Sequence, residues 1–151
     1  VARKGQNRLT DSPSDFSLPR SKILRGKRNF QRLFDKSTVL RSPSLQFRFR
    51  VYENPSENCL VGFIAPKRQF KRAVDRNRMK RLLREAYRLN QHILTPLFDK
   101  KVFGFHAALV AQKNPGSFND TEAEVIELLH QAREKVEQYL DTPPLTENKK
   151  Q

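Results

Sequence analysis

Residues 67–88 read KRQFKRAVDRNRMKRLLREAYR, where ten Lys and Arg stand against two acids, Asp75 and Glu85. From Val74 onward the spacing is helical, because Met79, Leu82, Leu83 and Ala86 fall at i, i+3, i+4 and i+7 and share one face. At about 100° per residue, Asn77, Lys80, Arg81, Arg84 and Arg88 fill the opposite arc, with Arg76 and Arg78 at its flanks. The stretch therefore predicts a packed helix with a cationic outer surface. A solvated helix face normally interleaves Glu with Lys at i, i+4. Here like charges crowd one arc, and a polyanion is the natural compensation. Arg outnumbers Lys in it, which favours bidentate gripping of phosphate over simple solubility.

The rest of the chain supports a polyanionic partner. It has 151 residues and a formal net charge of +14, the length of one domain with loose ends. The charge is uneven: residues 1–66 carry +8, residues 67–88 another +8, and residues 89–151 carry −2. The last third is thus not expected to form the binding surface. No apolar run approaches the roughly 18 residues of a spanning helix, and no signal-peptide pattern opens the sequence, so a cytoplasmic protein without membrane partners is expected. The one cysteine, Cys59, lies in the apolar run CLVGFIA and reads as a small hydrophobe in a reducing compartment.

Taken in order, residues 1–19 read as a mobile basic tail. LRGKRNFQRLFDKS then places Phe30, Leu33 and Phe34 on one face of a short helix over about residues 26–37, its start blurred by Gly26, a weak helix former. LQFRFRVY, residues 45–52, alternates with period two. Leu45, Phe47, Phe49 and Val51 form a dry face, and Gln46, Arg48, Arg50 and Tyr52 a cationic one. Such a face suits a single RNA strand, with guanidinium on phosphate and rings on bases, and equally suits the solvent side of a half-covered sheet. ENPSEN reads as a hairpin turn, and CLVGFIA as a central strand ended by Pro66. The basic approach 67–72 carries Phe70 as a packing anchor. The main helix runs to about Leu94, where Thr95-Pro96 stops it. Residues 102–111 form a last strand, and Thr121 with Glu124 a capping box for a final helix striped by Val125, Leu128, Leu129, Ala132, Val136, Tyr139 and Leu140. Residues 142–151 read as a disordered tail.

The fold class is therefore α+β, a single domain over residues 20–141. A small, mostly antiparallel sheet of about four strands carries three helices in the order αβββαβα. Chemistry of its own is not apparent. His92, His106 and His130 lack metal-ligand spacing, one Cys cannot build a thiolate zinc cluster, and no phosphate-cradling Gly-rich loop occurs. No metal site and no catalytic side chain are assigned to the protein.

The run Phe70, Ala73, Arg76-Asn77-Arg78, Met79, Lys80-Arg81 and Arg84 resembles the arginine-asparagine-arginine signature of the protein subunit of bacterial ribonuclease P, and roughly residues 20–140 fit that family's order of elements. The resemblance implies a left-handed strand-helix-strand crossover in place of the usual right-handed one. It also implies an accessory role: a ribonuclease P RNA subunit binds Mg²⁺ and cuts the 5′ leader from precursor tRNA, and the protein assists. On that basis Lys67, Arg68, Lys71, Arg72, Arg76, Asn77, Arg78, Lys80, Arg81 and Arg84 are expected to contact the RNA subunit. Phe30 and Phe34, with Arg48 and Arg50, would face the leader; the two rings read equally well as core anchors. A structural RNA-binding protein of ribosomal type is the alternative. A DNA regulator is disfavoured, since Asn77 is the only amide in the basic arc and base reading needs more.

Overall fold

The structure is a computed structural model that describes residues 16–100 and 102–141. The proposed tails fall on residues 1–15 and 142–151 outside that range, save for residues 16–19. These last lie against the domain: Arg88 Nη1 donates to Phe16 O at 3.2 Å and Gln91 Nε2 to Ser17 O at 2.9 Å.

The elements are α1 (Lys27–Asp35), β1 (Thr38–Arg41), β2 (Leu45–Tyr52), β3 (Cys59–Ile64), α2 (Ala73–Asn90), α3 (Thr95–Lys100), β4 (Gly104–Ala111) and α4 (Phe118–Asp141), with short 3-10 turns between some of them. The strands form one sheet in the order β1-β2-β4-β3. β1 with β2 and β2 with β4 run antiparallel, while β4 and β3 are parallel and joined by a crossover that contains α2. This is the expected α+β plan with one helix more, α3. Thr95-Pro96 begins that helix rather than only ending the previous one, since a proline in the first helical turn sacrifices no hydrogen bond. α2 itself stops at Asn90 and passes through a 3-10 turn, Gln91–Ile93.

Period-two alternation gives the sheet two unlike faces. On one, Phe47, Phe49, Phe105, Leu109 and Val61 meet Met79, Leu83, Ala86 and Tyr87 of α2 and Val125, Leu128, Leu129, Ala132 and Val136 of α4 in the main core. Full burial of each such large side chain contributes about 1.5–3 kcal/mol, so this face carries most of the stability. The other face holds a small second cluster in which Leu33 of α1 packs on Leu24, Ala108 and Val110. Gly26 starts α1 at φ 95°, a conformation natural to glycine and costly for other residues.

Three sequence expectations are corrected. β3 is an edge strand, not a central one, and β4 takes the centre with every residue buried. The run CLVGFIA is apolar because both faces of the edge are covered, by α2 and by Phe30 with Leu24. ENPSEN makes no hairpin either, because β4 separates β2 from β3. It forms a 3-10 turn, Pro55–Glu57, with Asn54 Oδ1 accepting from Ser56 N at 3.0 Å, and Asn58 O accepts from Phe105 N at 2.8 Å. The final helix also begins earlier than expected. Ser117 and Asp120 form its box, with Ser117 N donating to Asp120 Oδ2 at 3.0 Å and Asp120 N to Ser117 Oγ at 3.1 Å. Glu124 is thereby released to accept from Ser44 N at 2.9 Å and from the Ser42 hydroxyl.

Candidate nucleic-acid interface

The buried stripe of α2 fixes which side chains face outward. Met79, Leu83 and Ala86 enter the core, so Asn77, Arg78, Lys80, Arg81 and Arg84 are exposed on the opposite arc. Lys67, Arg68, Lys71 and Arg72 are exposed on the approach, pinned by Phe70, which is 8% exposed in the core. Arg72 is 3.8 Å from Asp75, an open pair of small value. Among the described residues, Arg78, Lys80, Arg81 and Arg84 make no ion pair. Arg76 differs. Its Nη1 donates to Phe70 O at 2.9 Å and Lys71 O at 3.1 Å, so it clamps the approach loop onto the first turn of α2. Arg88, at the far end of the arc, is held by Glu85 at 2.6 Å. Next to the approach, Lys71, Arg72 and Arg78 line a cleft of about 620 Å³ that also takes in Lys113 from the turn after β4. Sequence reading missed Lys113 because it lies some 40 residues along the chain; the KNPG turn alone gives no sign of its destination.

The second candidate surface lies across the sheet. Arg48 and Arg50 stand on the face that α1 crosses, opposite Ala108 and His106 of β4. The guanidinium of Arg48 is 5.2 Å from the centre of the Phe34 ring, and its Nε donates to Gln46 Oε1 at 3.2 Å. Arg50 is more tightly held, donating to Arg32 O at 3.2 Å with its guanidinium 4.6 Å over the Tyr52 ring. Arg32, which sequence reading passed over, stacks on Tyr52 at 4.9 Å and grips Glu57 through two hydrogen bonds of 3.3 and 2.9 Å. The hydrogen bond from Arg32 holds the Glu57 carboxyl below the usual carboxylate range. Beneath them His106 is 2% exposed, with Nε2 at 2.9 Å from Glu57 O. Among the described residues, Tyr52 OH and His106 Nδ1 have no hydrogen-bond partner.

The paired rings separate. Phe34 is 41% exposed beside Arg48, whereas Phe30 is half-buried at the edge of the small cluster. A Cβ on Gly62 would lie 2.6 Å from Phe30 Cζ, so only glycine lets that ring rest on β3. The two rings are 6.3 Å apart. Phe30 thus serves packing as well as surface, and Phe34 is mainly surface.

Other groups are chemically quiet. Burial pushes the Cys59 thiol up to about 11, which keeps it protonated and unreactive at neutral pH. Among the described residues no three His, Cys, Asp or Glu side chains converge to hold a metal ion. No helix among them is long and apolar enough to cross a membrane.

A small α+β protein with a cation-covered helix on one side of its sheet and an aromatic, Arg-bearing face on the other has the features of a polyanion-binding scaffold. The chain belongs to the ribonuclease P protein family, whose model matches residues 18–133. It is 33% identical over 138 residues to the ribonuclease P protein component of Pseudomonas putida, a match covering 89% of this chain and 91% of that one. It is 43% identical over 83 residues to that of Chlorobaculum tepidum, covering 52% and 54% respectively. The fold is shared with the ribonuclease P protein of Thermotoga maritima, at TM-score 0.55 and 22% identity over 72% of this chain and 96% of that one. The Staphylococcus aureus protein gives 0.53 and 17% over 74% and 95%. The Pseudomonas putida and Chlorobaculum tepidum relatives are both described as ribonuclease P protein components.

Proposed function

We propose that the protein supports RNA-catalysed removal of the 5′ leader from precursor tRNA in the cytoplasm. The observation that carries the reading is the set of unpaired cations on α2, a surface that a polyphosphate would neutralise and that no acid of the described residues does. In this reading Lys67, Arg68, Lys71, Arg72, Asn77, Arg78, Lys80, Arg81 and Arg84 lie against the RNA subunit, and Arg76 shapes the loop that presents four of them. The groove of Phe34, Arg48 and Arg50, with Phe30 at its end, receives the single-stranded leader, where rings and guanidinium planes stack on unpaired bases. Mg²⁺ belongs mainly to the RNA partner, whose phosphates supply oxygen ligands. The protein's part is to place positive charge between two polyanions that otherwise repel.

The test is cleavage of precursor tRNA by a bacterial ribonuclease P RNA at low Mg²⁺, with and without this protein. The expected result is cleavage that depends on the protein at low Mg²⁺ and less so at high Mg²⁺, with none by RNA-free protein. Tight binding to ribosomal RNA without any effect on leader removal would favour a structural RNA binder instead.

A further inference from the structure

At the open edge of β3 a cavity of about 340 Å³ lies between the start of α1 and the basic arc of α2, inside the range of about 300–1,000 Å³ of small-ligand sites. Its lining includes the half-buried rings of Phe30 and Phe63, which flank the edge strand from opposite faces, Phe30 over Gly62 and Phe63 beside Tyr87, and Arg25, Lys80, Arg81 and Arg84 surround it, with no acid in the lining. All four cations are exposed, and among the described residues none is in an ion pair. The edge adds backbone groups. Val61 O accepts from Leu24 N at 3.0 Å on the side away from β4, and strand alternation turns the N–H and C=O of Phe63 to the same side. Beyond Leu24 the covering segment leaves that edge, and among the described residues no hydrogen bond to the outward Phe63 N–H is made.

We infer that this cavity takes one unpaired nucleotide of the RNA subunit, turned out of its stack, with its base on Phe63 and its phosphates on Lys80, Arg81 and Arg84. The inference rests on the RNA-binding reading of α2 and deepens it. Phosphate on the arc alone needs no ring and carries no sequence information. A recess with an apolar aromatic floor and a cationic rim matches the two halves of a nucleotide, and an edge donor and acceptor at Phe63 can meet the polar edge of its base. A base within a duplex cannot reach such a floor, so the occupant comes from a bulge or loop.

The full-length protein is bound to a bacterial ribonuclease P RNA and probed with dimethyl sulfate and a carbodiimide for base edges and hydroxyl radicals for the backbone. The expected result is one unpaired base that the wild type protects and Phe63→Leu re-exposes, with affinity about ten-fold weaker, as loss of one stacked base implies, and with backbone protections retained. Phe63→Tyr keeps the protection. Because Phe63 also packs 6.0 Å from Tyr87, the exposed Arg25→Glu is the second variant, and it re-exposes the same base by placing a carboxylate on the rim. If neither variant re-exposes a base while Lys80→Ala still weakens binding, the nucleotide site is wrong and the arc stands. If Lys80→Ala is also without effect, both fail. A base protected only when precursor tRNA is added makes the occupant a leader nucleotide and overturns the inference.

Discussion

The guanidinium of Arg48 lies 5.2 Å over the ring of Phe34, a cation–π contact between β2 and the last turn of α1 that leaves the ring 41% exposed. Removing that ring uncovers little core, and exposed cation–π contacts are worth about 0.5–1 kcal/mol. Phe34→Ala should therefore melt close to the wild type while weakening holoenzyme binding to precursor tRNA and sparing mature tRNA. Phe30→Ala should behave differently, since its ring fills the space over Gly62; a stability loss of about 2–4 kcal/mol is expected, short of full core truncation. Melting temperature and the affinity ratio for long-leader against leaderless tRNA are measured for both. A lower melting point for Phe34→Ala with an unchanged ratio would place that ring in the core and out of the groove.

Part of the acid sensitivity lies at the pair of Arg32 and Glu57; the carboxyls of Glu85 and Asp120 are also lowered. The hydrogen bond from Arg32 lowers the Glu57 carboxyl, burial opposes this, and the charges of Arg32, His106 and Arg50 lower it further. A carboxylate whose folded value is depressed stabilises fully above its unfolded value of about 4.3 and loses that contribution as pH falls through the folded one. Glu57→Gln should thus melt below the wild type near neutral pH, and the gap should narrow as pH falls below about 4.3. A gap that stays constant over that range would show that the pair does not act through the carboxylate's charge.

Glu124 ties α4 to the turn between β1 and β2, accepting from Ser44 N at 2.9 Å and from the Ser42 hydroxyl. Ser44 is buried, so Glu124→Ala leaves its amide short of a partner, at a cost of about 1–3 kcal/mol. Hydrogen exchange at Ser44 should accelerate in this variant before exchange in β4 does. Equal acceleration throughout would mean that the bond supports the whole fold and not the turn.

The fold was most legible where one period ran unbroken. The stripe through Met79, Leu83 and Ala86 placed α2 and its outer arc, and the alternation of LQFRFRVY assigned both faces of β2. Neighbour relations were not legible. The apolar composition of CLVGFIA reports covered faces, and it says nothing of whether a strand or the segment at Ile23 lies alongside, so a central and an edge position look the same in the sequence. Ser117 was hidden as a cap because Thr121 and Glu124 fit the same pattern one turn later. Within the candidate site, Phe30 and Phe34 look alike at i, i+4, and only the glycine at position 62, reached through the tertiary fold, divides them. Arg76 could not be told from its neighbours because its partners are backbone carbonyls of a loop, invisible to side-chain patterning.

That difference at Arg76 separates two kinds of cation in one arc. If about six phosphates are neutralised, binding to the RNA subunit should fall with salt at a log–log slope of about −4 to −5. Lys80 and Arg84 are exposed and make no ion pair among the described residues, so replacing either by Ala should reduce the slope by about one unit and weaken binding to different RNAs alike. Arg76 already spends Nη1 on Phe70 O and Lys71 O. Arg76→Ala frees the approach loop that carries Lys67, Arg68, Lys71 and Arg72, so affinity should fall through loss of order while those four charges remain. Its slope should stay within about half a unit of the wild type, and protease cleavage within residues 66–72 should quicken. A full-unit loss of slope with an unchanged cleavage rate would instead make Arg76 a phosphate contact like Lys80 and Arg84.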